Sequence, residues 1–238
     1  MSDALYFRQL LAGRDFAVGD AVALSMRNFT YAIGDRRSGE AVLVDPAYRP
    51  AELIEILEAD GMKLVGAIAT HYHPDHIGGT LIGRQHIAGI VELREMTGVP
   101  IHAHVDERSW ILERTGIDES ALITHDDRDQ LRVGDIEITL LHTPGHTKGS
   151  QCLLVEGHLL SGDTLFIDGC GRTDFPGGDT RELFVSLNER LSKVSDDTVL
   201  FPGHLYSTEG SLPMGDVRER NPVLSVASLE QWLTMFGS

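Results

Sequence analysis

Cysteine is nearly missing. Cys152 and Cys170 are the only two in 238 residues. That is too few for the disulfide framework of a small secreted fold, so a reducing, cytoplasmic setting is the expectation. No apolar run is long enough to cross a bilayer, and no membrane association is expected. The opening residues Met1 to Phe7 lack the basic region and apolar stretch of a secretory signal. Positive charge is also scarce: 20 Lys and Arg stand against 36 Asp and Glu, a net charge of -16, and no Lys/Arg cluster offers a stripe for phosphates. Nucleic acid is therefore not an expected partner, and the acidity reads as an aid to solubility. No internal repeat, low-complexity linker or shift in composition marks a boundary. Residues 1–238 read as a single domain with a C-terminal helix, and 42% hydrophobic content suffices for a sizeable core. A homo-oligomer is compatible with the sequence but is not specified by it.

What the chain does have is an alternation of strand and helix patterns. Phe29 to Ile33 and Ala41 to Val44 read as two strands joined by the polar turn from Gly34 to Gly39. Pro50 opens a helix with Leu53, Ile54, Ile56 and Leu57 at helical spacing, closed by Gly61. Leu64 to Thr70 is a short buried strand, and Leu81 to Met96 has mixed helical character. Further strands are expected at Val99 to Ala103 and at Ile136 to Leu140, where apolar and polar residues alternate. Gln151 to Val155 and His158 to Ser161 form a hairpin around Glu156-Gly157. Asp106 to Arg114 and Thr180 to Leu191 read as helices, Thr198 to Phe201 as a strand and Val223 to Phe236 as a terminal helix.

Directly after the apolar run ending at Thr70 comes His71-Tyr72-His73-Pro74-Asp75-His76, three imidazoles and a carboxylate within six residues. Imidazole and carboxylate suit zinc or iron, and the lack of thiolate argues against a closed structural zinc finger. Pro74 discourages a helix straight after the strand, so a loop is expected to aim these side chains inward. Three more strand ends carry candidate ligands: His146, Asp163 and His204. Loops at one edge of a rigid sheet can gather groups distant in sequence. Seven donors exceed what one four-coordinate ion with an open position uses, so two ions are expected, or one ion steered by the remaining residues. Against this, Asp163 beside a glycine could cap a turn and His204 alone would mean little. His86, His102, His104, His125, His142 and His158 are read as core or surface residues, and Cys170 as a small packed side chain.

The joint pattern resembles the metallo-β-lactamase fold superfamily. Its THxHxDH hallmark is matched by Thr70 to His76, followed by His142-Thr143-Pro144-Gly145-His146-Thr147, Gly162-Asp163-Thr164-Leu165-Phe166 and Pro202-Gly203-His204, so the resemblance covers about residues 20 to 222. It implies an α/β fold, the four-layer αβ/βα metallo-β-lactamase sandwich, with metals at one edge. It also implies that His71, His73 and His146 hold one ion, that Asp75, His76 and His204 hold a second, and that Asp163 bridges them. Two divalent metal ions are thus the expected cofactors, zinc first, with iron or manganese as alternatives. A hydroxide between the ions would be the nucleophile, with Asp75 and Asp163 as catalytic residues, and such ions lower the pKa of bound water and polarise a carbonyl.

Gly169-Cys170-Gly171-Arg172-Thr173-Asp174-Phe175 is similar to persulfide dioxygenases, in which one iron would use His71, His146 and Asp163 and the arginine matching Arg172 would bind glutathione. The continuation Pro176-Gly177-Gly178-Asp179 and the later Glu219-Arg220-Asn221-Pro222 are closer to short glyoxalase II-like hydrolases. The long helical C-terminal domain that binds glutathione in longer glyoxalase II enzymes is not seen. The leading expectation is a dinuclear hydrolase of the thioesterase type acting on a small-molecule thioester, glutathione-linked in the nearest resemblance, with Arg172 binding substrate. The alternative is a mononuclear iron persulfide dioxygenase. Lactonase or β-lactamase chemistry ranks below both, since Phe166 stands where lactonases carry tyrosine. Equally, Arg172 and Asp174 could pair simply to fix a turn. The stretch from Thr80 to Ile111 is long enough to wall or cover the site.

Overall fold

In β2 (Phe29–Asp35), Phe29, Tyr31 and Ile33 point to one face and Ala32 to the other, the period of two that lets one strand serve two packed layers. The computed structural model describes residues 3–81 and 85–237. Within them, β1 (Leu5–Leu11), β2, β3 (Glu40–Val44), β4 (Lys63–Ile68), β7 (Ile101–His104) and β8 (Leu122–His125) form one six-stranded sheet in that order. The short strands β5 (Gly79–Thr80) and β6 (His86–Ile87) pair separately. The second six-stranded sheet runs β14 (Leu212–Pro213), β13 (Val199–Pro202), β12 (His158–Gly162), β11 (Gln151–Val155), β10 (Ile136–His142) and β9 (Gln130–Val133).

The sheets meet through their inner faces. Phe29, Tyr31, Ile33, Val42, Val44 and Ile68 of the first pack on Ile136, Ile138, Leu140, Leu153, Val155 and Leu160 of the second. The outer face of the first sheet, with Ala32, Leu43 and Ala67, is covered by α1 (Ala21–Met26), α2 (Pro50–Ala59), α4 (Ile90–Thr97) and α5 (Arg108–Thr115) through Ala23, Leu53, Leu57, Ile90, Leu93 and Ile111. The outer face of the second, with Cys152, Leu159 and Leu200, is covered by α6 (Thr180–Val185), α7 (Met214–Arg220) and α8 (Leu229–Phe236) through Leu183, Val217 and Trp232. The order of layers is αβ/βα, as the resemblance implied. Among the described residues no helix is long and apolar enough to cross a membrane.

Three sequence expectations are corrected. Between Leu81 and Met96 the helix begins only at Ile90; Gly79–Thr80 pairs with His86–Ile87 as a small hairpin, and residues 82–84 lie outside the described residues. The terminal helix is shorter than its apolar content suggested: a 3-10 turn, Pro222–Ser225, is followed by α8, with Ser228 as the N-cap on the amide of Gln231. Pro74 does not exclude a helix. It is the first residue of α3 (Pro74–Ile77), where its missing N–H would have had no helical partner anyway.

The strand ends that matter lie along one edge, where backbone bonds join them both within the second sheet and between the two sheets. Gln151 N donates to Thr70 O at 3.0 Å, Gly203 N to Gly162 O at 2.8 Å, and Phe29 N to Gly203 O at 2.8 Å.

Candidate metal centre

Asp45, just past the end of β3, adopts a left-handed backbone (φ 54°) and fixes the start of the histidine loop. Its Oδ1 accepts the Thr70 amide at 2.8 Å and its Oδ2 accepts the Thr70 hydroxyl at 2.6 Å. Opposite this loop stands Gly162, with φ 48°; a Cβ there would come within 2.7 Å of Thr70 Oγ1, so only glycine lets the Asp163 loop approach. His73 then caps α3, whose single turn carries Asp75 and His76.

All seven expected ligands meet at this edge. His71 Nε2 and His146 Nε2 each lie 3.0 Å from His73 Nδ1. His76 Nε2 is 3.2 Å from His204 Nε2, and Asp75 Oδ2 is 3.6 and 3.5 Å from those two nitrogens. The donors of each trio lie within 4.8 Å of one another. Asp163 spans both groups: its Oδ2 is 3.6 Å from His146 Nε2 and 3.3 Å from His204 Nε2, and its Oδ1 is 3.3 Å from His76 Nε2.

The far side of each ring explains why these nitrogens converge. His146 Nδ1 faces the Arg172 carbonyl at 2.6 Å, and His204 Nδ1 faces the Met26 carbonyl at 2.8 Å. His76 Nδ1 faces Asp45 Oδ2 at 2.9 Å, and His71 Nδ1 faces the Thr70 hydroxyl at 3.0 Å. A carbonyl or carboxylate oxygen can only accept, and the Thr70 hydroxyl already donates to Asp45. Each Nδ1 must therefore carry a proton, so each ring in its neutral form aims its Nε2 lone pair inward, the arrangement that orients imidazoles on metals. Asp163 Oδ1 is buried without an aligned hydrogen bond. An orphaned carboxylate oxygen amid inward lone pairs fits a bound cation, which would supply the missing partner.

The electrostatics divide the two groups. Burial, reinforced by neighbouring imidazoles, holds His71 well below the usual histidine range and lowers His73 to about 3, so both are neutral ligands at neutral pH. For His76 and His204 burial also opposes the charge, but Asp163 and Asp75 outweigh it and both rings are raised. Burial opposes ionisation of Asp163 as well, yet His204 and His76 hold it well below the carboxylate range.

Over the ligands opens a cavity of about 920 Å³, lined in part by His73, Asp163, Arg114, Arg172, Phe175 and Tyr206. Thr80 and Leu81 also line it, so the long segment after the histidine loop supplies a wall. Arg172 pairs with Asp174 at 2.9 and 2.5 Å, lies over the Phe175 ring at 4.7 Å and lines the cavity. The Gly-Cys-Gly-Arg motif has a steric cause: a Cβ on Gly171 would fall 2.0 Å from Asp163 O and 2.8 Å from His146 Nδ1. Burial pushes the Cys170 thiol up to about 12, so it is no thiolate nucleophile.

Several contributors escaped sequence reading. Asn28 donates to Asp75 Oδ2 at 3.0 Å and accepts the Tyr48 hydroxyl at 2.7 Å. Asp45 looked only like a strand terminator beside proline, although a buried aspartate in a left-handed turn is a signal the chain order cannot display. A separate trio, His104, Asp106 and His142, also gathers metal-type donors. Its donors are engaged, however: Asp106 pairs with Lys148 at 2.9 Å, His142 Nε2 meets the Lys148 carbonyl at 2.9 Å, and the two rings stack in parallel rather than converge.

The comparisons agree with this geometry. The family model described as the metallo-beta-lactamase superfamily matches residues 27–204. The human mitochondrial persulfide dioxygenase ETHE1 is 32% identical over 217 residues, 88% of this chain and 76% of that protein. A probable hydroxyacylglutathione hydrolase of Schizosaccharomyces pombe is 32% identical over 190 residues, 76% of this chain and 64% of that protein. The crystal structure of ETHE1 from Myxococcus xanthus superposes with a TM-score of 0.78 at 28% identity, covering 98% of this chain and 90% of that one. The inward Nε2 set, the αβ/βα layers and these matches together establish that this chain belongs to the metallo-beta-lactamase superfamily.

Proposed function

We propose that the protein oxidises the outer sulfur of a small thiol persulfide, of the glutathione persulfide class, with molecular oxygen. In balanced form, RSSH + O₂ + H₂O gives RSH and sulfurous acid. The observation that carries this reading is the union of the Gly169 to Phe175 segment with the first ligand group. Arg172 holds the His146 ring by its backbone carbonyl while its side chain lines the cavity, and Gly171 packs against the Asp163 backbone. The likeness to the human and Myxococcus ETHE1 proteins over most of the chain supports the same reaction. Iron would be held by His71, His146 and Asp163, and it would supply the change of oxidation state that zinc cannot undergo. The protein's part is to keep the imidazoles neutral and oriented, to place the sulfur beside them and to receive the anionic remainder of the substrate with Arg172.

Thioester hydrolysis is the second reading, favoured by the second group. Asp75, His76 and His204 are gathered as tightly as the first trio, and Asp163 reaches both. Likeness to the probable hydroxyacylglutathione hydrolase points the same way. Metal counting on protein purified without added metal, with oxygen uptake on glutathione persulfide and hydrolysis of an acyl-glutathione measured side by side, separates them. Iron-dependent oxygen uptake matched by sulfite is expected. Hydrolysis without oxygen uptake, by protein holding two ions per chain, would overturn the proposal.

A further inference from the structure

Glu107 is a charged-type residue with no exposure at all, sitting at the end of a 3-10 turn, Val105–Glu107, between β7 and α5. It is not one of the ligands. Its Oε1 accepts the Thr147 hydroxyl at 2.8 Å and the Gly149 amide at 2.7 Å, so it grips the loop that begins at His146. Gly149 is matched to that grip, because a Cβ there would lie 2.7 Å from Glu107 Cγ. Within the loop, Thr147 and Ser150 close on each other, with hydroxyls 2.7 Å apart and the Thr147 amide donating to Ser150 Oγ at 3.0 Å. One helical turn onward from Glu107, Trp110 stacks on Tyr72 at 5.1 Å and 17°. Tyr72 lies between His71 and His73, and its hydroxyl donates to the Pro176 carbonyl at 2.6 Å.

The start of α5 therefore touches both loops of the first ligand group, one through Glu107 and the other through Trp110. These loops belong to different sheets, His71 and His73 following β4 and His146 following β10. From this juxtaposition we infer that Glu107 is a positioning residue for the first metal group, tying the His146 loop to the sheet that carries His71 and His73. Burying a carboxyl with one oxygen unpartnered is costly, and Glu107 Oε2 has no hydrogen bond. Leucine would fill similar space without that cost but would leave the Thr147 hydroxyl and the Gly149 amide without their shared acceptor.

The inference rests on the metal assignment of His71, His73 and His146, not on which reaction follows. The test is titration of the stripped full-length protein with cobalt(II) and zinc, comparing wild type, Glu107→Gln, Glu107→Leu and His146→Ala. Removing partners that orient ligands typically weakens metal affinity about 10–100-fold. Glu107→Leu should show a loss of that size for the first ion and an altered cobalt absorption spectrum. Glu107→Gln, which keeps a carbonyl acceptor, should stay within about threefold of wild type, well short of that loss. Wild-type cobalt binding and spectrum in folded Glu107→Leu would overturn the positioning role, as would a Gln variant as impaired as the Leu one. If Glu107→Leu does not fold, Thr147→Val removes one of the two bonds and should give a smaller loss with the same spectral change; an unchanged spectrum there counts against the inference. Unaltered metal binding in His146→Ala would instead mean that the ligand assignment had failed.

Discussion

Glu107→Gln should also change how stability depends on pH, and the size follows from burial. Burial raises the Glu107 carboxyl from 4.5 to about 7, with the hydrogen bonds from Thr147 and Gly149 pulling the other way. The unfolded chain releases this proton near the ordinary glutamate value, whereas the native state keeps it until about pH 7. Between those values the native state binds more protons, so stability falls as pH rises through the window and is level above it. At about 1.36 kcal/mol per pH unit, the group makes folding roughly 3 kcal/mol less favourable at about pH 8 than below its unfolded pKa. Glutamine does not titrate, so the variant should gain about 3 kcal/mol relative to wild type across the window, or roughly 6–12 °C in Tm for a chain of this size. Urea unfolding of both proteins at closely spaced pH values, with chelator present throughout, measures the difference while shared titrations cancel. Parallel curves, with a constant gap from acid to alkaline pH, would refute the reasoning.

Asp45→Ala removes the acceptor of the Thr70 amide, the Thr70 hydroxyl and His76 Nδ1; a cost of about 3–5 kcal/mol in urea unfolding and a 10–100-fold loss of affinity for the second ion by zinc titration are expected, about the range for partners that orient ligands. Arg172→Ala should raise KM for the anionic thiol substrate about tenfold, the worth of one charge-assisted contact, with kcat nearly unchanged. Asp174→Ala, which removes only its partner, should not reproduce that rise, and equal effects would mark the pair as a turn fixer. Trp232→Ala opens the core under α8 and breaks its bond from Nε1 to the Thr180 carbonyl at 2.8 Å, so calorimetry should show a loss of about 3–5 kcal/mol.

Much of this architecture is legible in the chain. Ile136 to Leu140 and Phe29 to Ile33 show their period of two because each strand has one face in the inter-sheet core. The edge strands were not legible: β1, Leu-Tyr-Phe-Arg-Gln-Leu-Leu, carries Arg8 and Gln9 in its middle, and the two-residue β14 is too short to show any period. The helix α3 was hidden by a rule applied too broadly, since Pro74 breaks a helix interior but not its first turn. The donors themselves were legible because four ligand-type side chains in six residues have few other uses.

The sequence by itself determined which residue types end the strands, and therefore which side chains could converge at one edge; the layer order it gave only through the resemblance of its motifs. It could not determine how the rings are held. The acceptors on His146 and His204 are the backbone carbonyls of Arg172 and Met26, and every residue has a carbonyl, so no side chain marks them. Nor does a glutamate 40 residues from Thr147 advertise that it will be buried against it. Those contacts come into being only when two sheets close on each other and desolvate one edge, where an unpaired polar group is too costly to leave and each must find a partner.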